Sequence, residues 1–112
     1  MYNYHNKTFR SVSNTSNGEV TDETIFKYLQ LGNIVTATYA GGNITMGNLI
    51  ALVDDEGRLD MRYQHINNKN ELMTGSCIST PAILANGKIR LYEKWQWTCG
   101  NNSTGESIIE EN

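Results

Sequence analysis

Two short stretches of the chain gather side chains able to bind or react. In "RLYEKWQW" (90–97) the two-residue period of a strand puts Leu91, Glu93, Trp95 and Trp97 on one face and Arg90, Tyr92, Lys94 and Gln96 on the other. In "LDMRYQH" (59–65) it groups Leu59, Met61, Tyr63 and His65 against Asp60, Arg62 and Gln64. If the two aromatic faces look at each other, one acid, one imidazole and a phenol converge between flat apolar walls. A small-molecule pocket is usually made of such parts: aromatic lining with a few polar groups. A third stretch adds Phe26 and Tyr28, with Gln30, on one face of "IFKYLQ" and Ile25, Lys27 and Leu29 on the other; the period does not say which face is inward.

The candidate ligand-binding set is therefore Tyr28, Tyr63, His65, Glu93, Trp95 and Trp97. Each has an ordinary structural reading beside the functional one. A buried Glu in a small barrel can simply accept hydrogen bonds from a Tyr or Trp across the core, because buried charges are normally partnered. A register shift would turn Glu93 outward, and a His near a strand end is usually half exposed. A catalytic use of Glu93 or His65 as general acid or base would follow from burial raising the carboxyl's pKa. No nucleophile, base and orienting group stand in a motif to support it, so no catalytic residue is assigned. Nothing in the sequence requires a cofactor, and the spacing of Cys77 and Cys99 matches no metal signature.

The elements that must position these residues are marked by turn chemistry. "NTSNG" (14–18), "LGN" (31–33), "GGN" (41–43), "DDEG" (54–57), "NNKN" (67–70), "NG" (86–87) and "CGNNSTG" (99–105) supply Gly and Asn, which tolerate the positive φ of tight hairpins. Seven breaks imply eight strands, at about 7–13, 23–30, 34–40, 44–53, 58–66, 71–79, 88–97 and 105–111. Most alternate in polarity and are rich in β-branched and aromatic residues, and none keeps a helical spacing. "TPAILANG" (80–87) is expected to be one helical turn or an irregular crossing, opened by Pro81.

Short connections pair each strand antiparallel with the next, and a meander of eight leaves two open edges unless it closes. The expected fold is an all-β, eight-stranded antiparallel up-and-down barrel in one domain, residues 1–112; an open sandwich of the same strands is the alternative. At 112 residues one core is what the length can bury.

Strand four breaks the alternation. In "NLIALV" (48–53), Ile50 and Leu52 lie on one face and Leu49, Ala51 and Val53 on the other, so both faces are apolar. A solvated outer face is not built this way. The Leu49, Ala51 and Val53 face is expected to be covered, by "TPAILANG", by the N-terminus or, as the favoured reading, by a second subunit in a homodimer. An interaction protein working through that face, with a filled interior, is the rival to a ligand binder.

Nine basic residues against 12 acidic ones, a net charge of −3, leave no field that would draw in nucleic acid or anionic lipid. The start "MYNYHNKTFR" has no secretory pattern and no apolar run approaches the ~20 residues of a membrane span, so a cytoplasmic chain with two free thiols is expected. The Asn-x-Ser/Thr triplets, such as Asn43-Ile44-Thr45, then carry no weight as glycosylation sites.

Eight short strands in simple order, Gly-rich hairpins and an aromatic strand near the C-terminus resemble a compact calycin-type barrel, the class of lipocalins, fatty-acid-binding proteins and avidins. That resemblance implies a small ligand held in the barrel interior. The chain departs from lipocalins in its shorter length and in lacking Gly-x-Trp near the first strand. The stretches "YAGGNITMGNLIALVDDEGRLDMRYQH" (39–65), "ELMTGSC" and "LYEKWQW" are also similar to small uncharacterised bacterial proteins, some of them called N-acetylglutamate synthases. Acetyl transfer of the usual kind needs a Gly-rich turn leading into a helix that holds a pyrophosphate. Neither "YAGGNITMG" nor "LQLGNIV" leads into a helical pattern.

Overall fold

The computed structural model of the chain describes residues 2–112. Eight strands follow one another: β1 (Lys7–Asn14), β2 (Ile25–Leu31), β3 (Ile34–Gly41), β4 (Ile44–Val53), β5 (Leu59–Asn67), β6 (Leu72–Ile83), β7 (Ile89–Trp97) and β8 (Thr104–Glu111). Each pairs antiparallel with the next, and β8 returns to β1, so the meander closes into a barrel with no free edge. Among the described residues there is no helix. The turn residues act as their chemistry requires: Gly32, Gly42, Gly57 and Gly87 all take positive φ at the hairpins.

Alternation inside each strand decides what fills the lumen. On β5, Leu59, Met61 and His65 are buried, and on β7, Ile89, Leu91, Trp95 and Trp97 are. On β2 the inward face is that of Phe26 and Tyr28. The outer face carries the mixed charges expected of it, including an exposed Arg62–Asp60 pair at 2.8 Å.

Two expectations are corrected. "TPAI" opens no helical turn but continues β6 to Ile83, with Pro81 opposite Leu91. Pairing of β6 with β5 stops at Ser79, so beyond it β6 is bonded on one side only, where a residue lacking an N–H is tolerated. On β4, Leu49 and Ala51 are 5 % and 3 % exposed and face the lumen with the half-buried Val53, so that face cannot dock a partner. They sit opposite Tyr63, Met61 and Leu59 of β5, which fixes them inward. The exposed apolar residues are Ile50 and Leu52, at 58 % and 57 %. With both faces apolar, periodicity had no means of choosing between them.

The two ends of the barrel are closed differently. At the end holding the β4–β5 turn, the N-terminal segment tucks in Tyr4, fully buried, whose hydroxyl donates to the Gly57 carbonyl at 2.5 Å. At the other end residues 15–24, the long β1–β2 connection, lie against the lumen, with Glu19 and Val20 packed beside its aromatic residues.

Candidate functional site

Beneath the β1–β2 connection lies a cavity of about 50 Å³ lined by Trp95, Trp97, Tyr63, Phe26 and Met61, with Glu93 in its wall. The aromatic rings meet at steep angles, Trp95 to Trp97 at 5.5 Å between centroids and Tyr63 to Trp97 at 5.9 Å. Edge-to-face contact of this sort is the favourable geometry for aromatic pairs. Room for the rings comes from glycine. A Cβ on Gly75 would fall 2.2 Å from the Tyr63 ring, and one on Gly105 would fall 2.2 Å from Trp95. Each glycine is the direct cross-strand neighbour of the ring it accommodates, so the ring lies over bare backbone.

Glu93 is half buried and points inward. Its Oε2 accepts from the Ser79 hydroxyl at 2.7 Å and its Oε1 from the Ser107 hydroxyl at 3.1 Å. Ser79 on β6 and Ser107 on β8 are its partners in register on either side, so the three polar side chains form a row across three strands. Burial pushes the Glu93 carboxyl up from 4.5 to about 7, and the two serine bonds, which favour the anion, only partly oppose this. Near neutrality the group is therefore both a donor and an acceptor.

Among the described residues no Lys, Arg or His forms an ion pair with Glu93. The titratable groups close enough to feel its charge are Tyr28, Tyr39, Tyr63 and Cys77, all held well above their usual pKa values, mainly by burial. All four are neutral at pH 7. Tyr28 is 1 % exposed, and its buried hydroxyl has no hydrogen-bond partner.

A second polar cluster closes the mouth. His65, 3 % exposed, meets the Tyr39 hydroxyl through Nδ1 at 2.9 Å and Glu19 through Nε2 at 2.7 Å. The other Glu19 oxygen accepts from Asn67 Nδ2 at 3.0 Å. Trp97 Nε1 donates to the Asn17 carbonyl at 3.0 Å, and Asn14 Nδ2 to that of Val20. The β1–β2 connection is thus tied to β5, β7 and β1 by named side-chain bonds.

The six sequence candidates separate into two levels. Tyr63, Glu93, Trp95 and Trp97 line the cavity together. His65 also reaches it, yet both its ring nitrogens are engaged by the mouth cluster, which makes it neither a surface residue nor a free base. Tyr28 lies deeper, its ring 4.7 Å from that of Phe9. Glu93 is satisfied by serines on the adjacent strands rather than by an aromatic partner across the lumen. Ser79 and Ser107 were missed because their meaning depends on register, and Glu19 because a loop carboxylate has no periodic signal. Cys77 and Cys99 are free thiols. Among the described residues no three His, Cys, Asp or Glu side chains are grouped to hold a metal ion.

No curated protein matches the chain. The family model described as "Avidin-like protein" matches residues 2–112, and with its closed eight-stranded meander the chain belongs to that avidin-like family.

Proposed function

We propose that the lumen beneath the β1–β2 connection binds a small molecule through Glu93, with Tyr63, Trp95 and Trp97 as its walls. The observation that carries this reading is a carboxyl poised near neutrality in the wall of an aromatic-lined cavity, inside a barrel of the avidin-like family. A cavity of about 50 Å³ holds a few waters, by the ~10–15 Å³ each requires, and falls short of the ~300 Å³ of ordinary ligand pockets. It therefore suits the compact polar head of a ligand, and a larger body enters only as residues 15–24 swing aside. A biotin-like compound, ring-fused and compact with a polar edge, is the first to test. Trp95 and Trp97 are the two tryptophans of the chain, so indole fluorescence and indole N–H resonances report on this site alone. Binding should perturb both and raise the melting temperature; a broad screen that perturbs neither indole would sink the proposal. Catalysis has less behind it, because both His65 nitrogens are occupied and Glu93 faces hydroxyls without an activating base.

A second reading concerns the outer wall. Leu29, Leu31, Ile34, Ile50 and Leu52 stand outward on β2, β3 and β4, with Leu31 82 % exposed. Register makes them contiguous, since Leu31 faces Ile34 and Ile34 faces Leu52. Of these, Leu29 and Ile50 also line an open depression of about 770 Å³, with Thr36 and Arg62. Asp60 and Arg62, the β5 neighbours of Leu52 and Ile50, put both charge signs beside the apolar residues, which lets the patch complement a second copy of itself. We infer a homodimer through this wall. Solution mass should fall to that of a monomer when Ile50 and Leu52 are both changed to Lys. A mass already monomeric in the parent chain would end this reading.

A further inference from the structure

If the lumen is a ligand site, the charge distribution in its wall narrows the chemistry of what it takes. The cavity lining contains two carboxylates, Glu93 and, at the mouth, Glu19, and no Lys or Arg. A buried carboxylate is normally matched by a cation or held by several donors. Glu19 has His65 and Asn67. Glu93 has two serine hydroxyls and, among the described residues, no ion-pair partner. Around the space it faces stand Trp95, Trp97 and Tyr63, whose ring faces carry the negative side of their quadrupoles. A positive charge is attracted by those faces and by the carboxylate at once, and binding is stronger in a site shielded from water. The buried and unpartnered Tyr28 hydroxyl is a further neutral group near Glu93 that offers no competing charge.

We infer that the ligand of this lumen carries a positively charged nitrogen, as a compact primary amine or amidine, which Glu93 pairs with while Trp95, Trp97 and Tyr63 cage it. This rests on the small-molecule reading above and goes further, since it selects among ligands by charge. A metal ion is a poorer occupant, because Glu93 is joined at that spot by hydroxyls and aromatic rings rather than by further carboxylate, thiolate or imidazole ligands. A neutral head can bond to Glu93 but gains nothing from its charge, and an anionic one is repelled by the carboxylates.

Pairing with a cation holds Glu93 ionised, so binding below neutral pH must expel its proton. The groups facing Glu93 are Tyr28 from β2, Tyr39 from β3, Tyr63 from β5, Cys77 and Ser79 from β6 and Ser107 from β8, all neutral through this range. Asn14 of β1 and Leu49 of β4 also line the wall, and its remaining titratable groups are Glu19 and the His65 imidazole of β5, which are bonded to each other. Affinity for an amine should therefore rise from pH 6 to pH 8. Proton release, read by calorimetry in buffers of different ionisation heat, should fall from nearly one per amine to nearly none.

The experiment titrates ethylamine and benzylamine, ethanol and benzyl alcohol, and biotin into the intact chain while following the two indole N–H resonances. Expected is saturable movement of both indoles by the amines, at least about tenfold tighter than by the alcohols of the same shape. In Glu93→Gln, which keeps the side chain's shape, the preference for amines should vanish. Folding of that variant is checked by the dispersion of the remaining spectrum. Equal movement by amines and alcohols, movement by biotin alone, or an amine preference that survives Glu93→Gln would overturn the inference while leaving a lumen site standing. Indoles that respond to none of the compounds would remove the site and the inference together.

Discussion

The two ends of the barrel are made by the same eight strands and closed by different chemistry. At the N-terminal plug, Tyr4, Phe9, Leu59, Leu91 and Ile109 are all fully buried, and the Tyr4 hydroxyl is capped by a turn carbonyl. At the opposite end the strands carry Glu93, Ser79, Ser107 and His65 among the aromatic residues, a cavity remains, and the cover is a loop held by side-chain hydrogen bonds. One end gains from burying apolar surface; the other gives up part of that gain to keep polar groups and space inside. A barrel that needed only to be stable would have been filled alike at both ends, and the difference marks where a function can be housed.

The comparison is tested most strongly by Leu91→Ala. Removing a fully buried side chain from the plugged end should cost about 3 kcal/mol and lower the melting temperature by roughly 10 °C or more, with the indole resonances unmoved. A loss under about 1 kcal/mol in thermal or denaturant melts would mean that this end is not the stabilising one.

Glu93→Gln should act in the opposite direction. The carboxyl titrates near 4.5 in the unfolded chain and at about 7 in the folded one, so the native state binds the extra proton between those values. Stability contributed by the protonated form is present in full below 4.5 and is lost as the pH rises to 7 and above. At about 1.4 kcal/mol per pH unit, a rise from 4.5 to about 7 corresponds to a loss of roughly 3–4 kcal/mol. The variant should be more stable than the parent at pH 8 and show a flatter profile from pH 5 to 8; parallel profiles would refute a buried titrating Glu93.

Gly105→Ala probes the space itself. The added methyl must displace the Trp95 ring, at about 1–2 kcal/mol, and should shift the Trp95 indole resonance while sparing the plugged end. A silent substitution would show that the ring is not seated on the glycine. The smallest effect belongs to Glu19→Gln, which weakens a charge-assisted bond to His65 by about 1 kcal/mol and should speed hydrogen exchange in residues 15–24 alone. Exchange rising equally at both ends would argue against a separately tethered cover.

Much of this contrast could be read beforehand, and the part that could not has a common cause. Strand number, order and closure followed from seven turn signals and the hazard of open edges. The inward faces of β5 and β7 followed from their alternation. On β4 the alternation was absent, so Leu49 and Ala51 went to the wrong face, and it took pairing with Tyr63 and Met61 to place them. Pro81 read as the opening of a helical turn or an irregular crossing until the unpaired side of β6 supplied a place for it.

By itself, then, the sequence determined the elements, their hairpin connections and the list of residues able to share a lumen, because turn chemistry and two-residue alternation are local properties of the chain. Tertiary structure alone decided that Ser79 and Ser107 flank Glu93, that glycines lie beneath Tyr63 and Trp95, and that Glu19 reaches back to His65 across 46 residues of chain. Those are matters of register and closure. Register is set jointly by every strand pair around the barrel, and no single segment contains it.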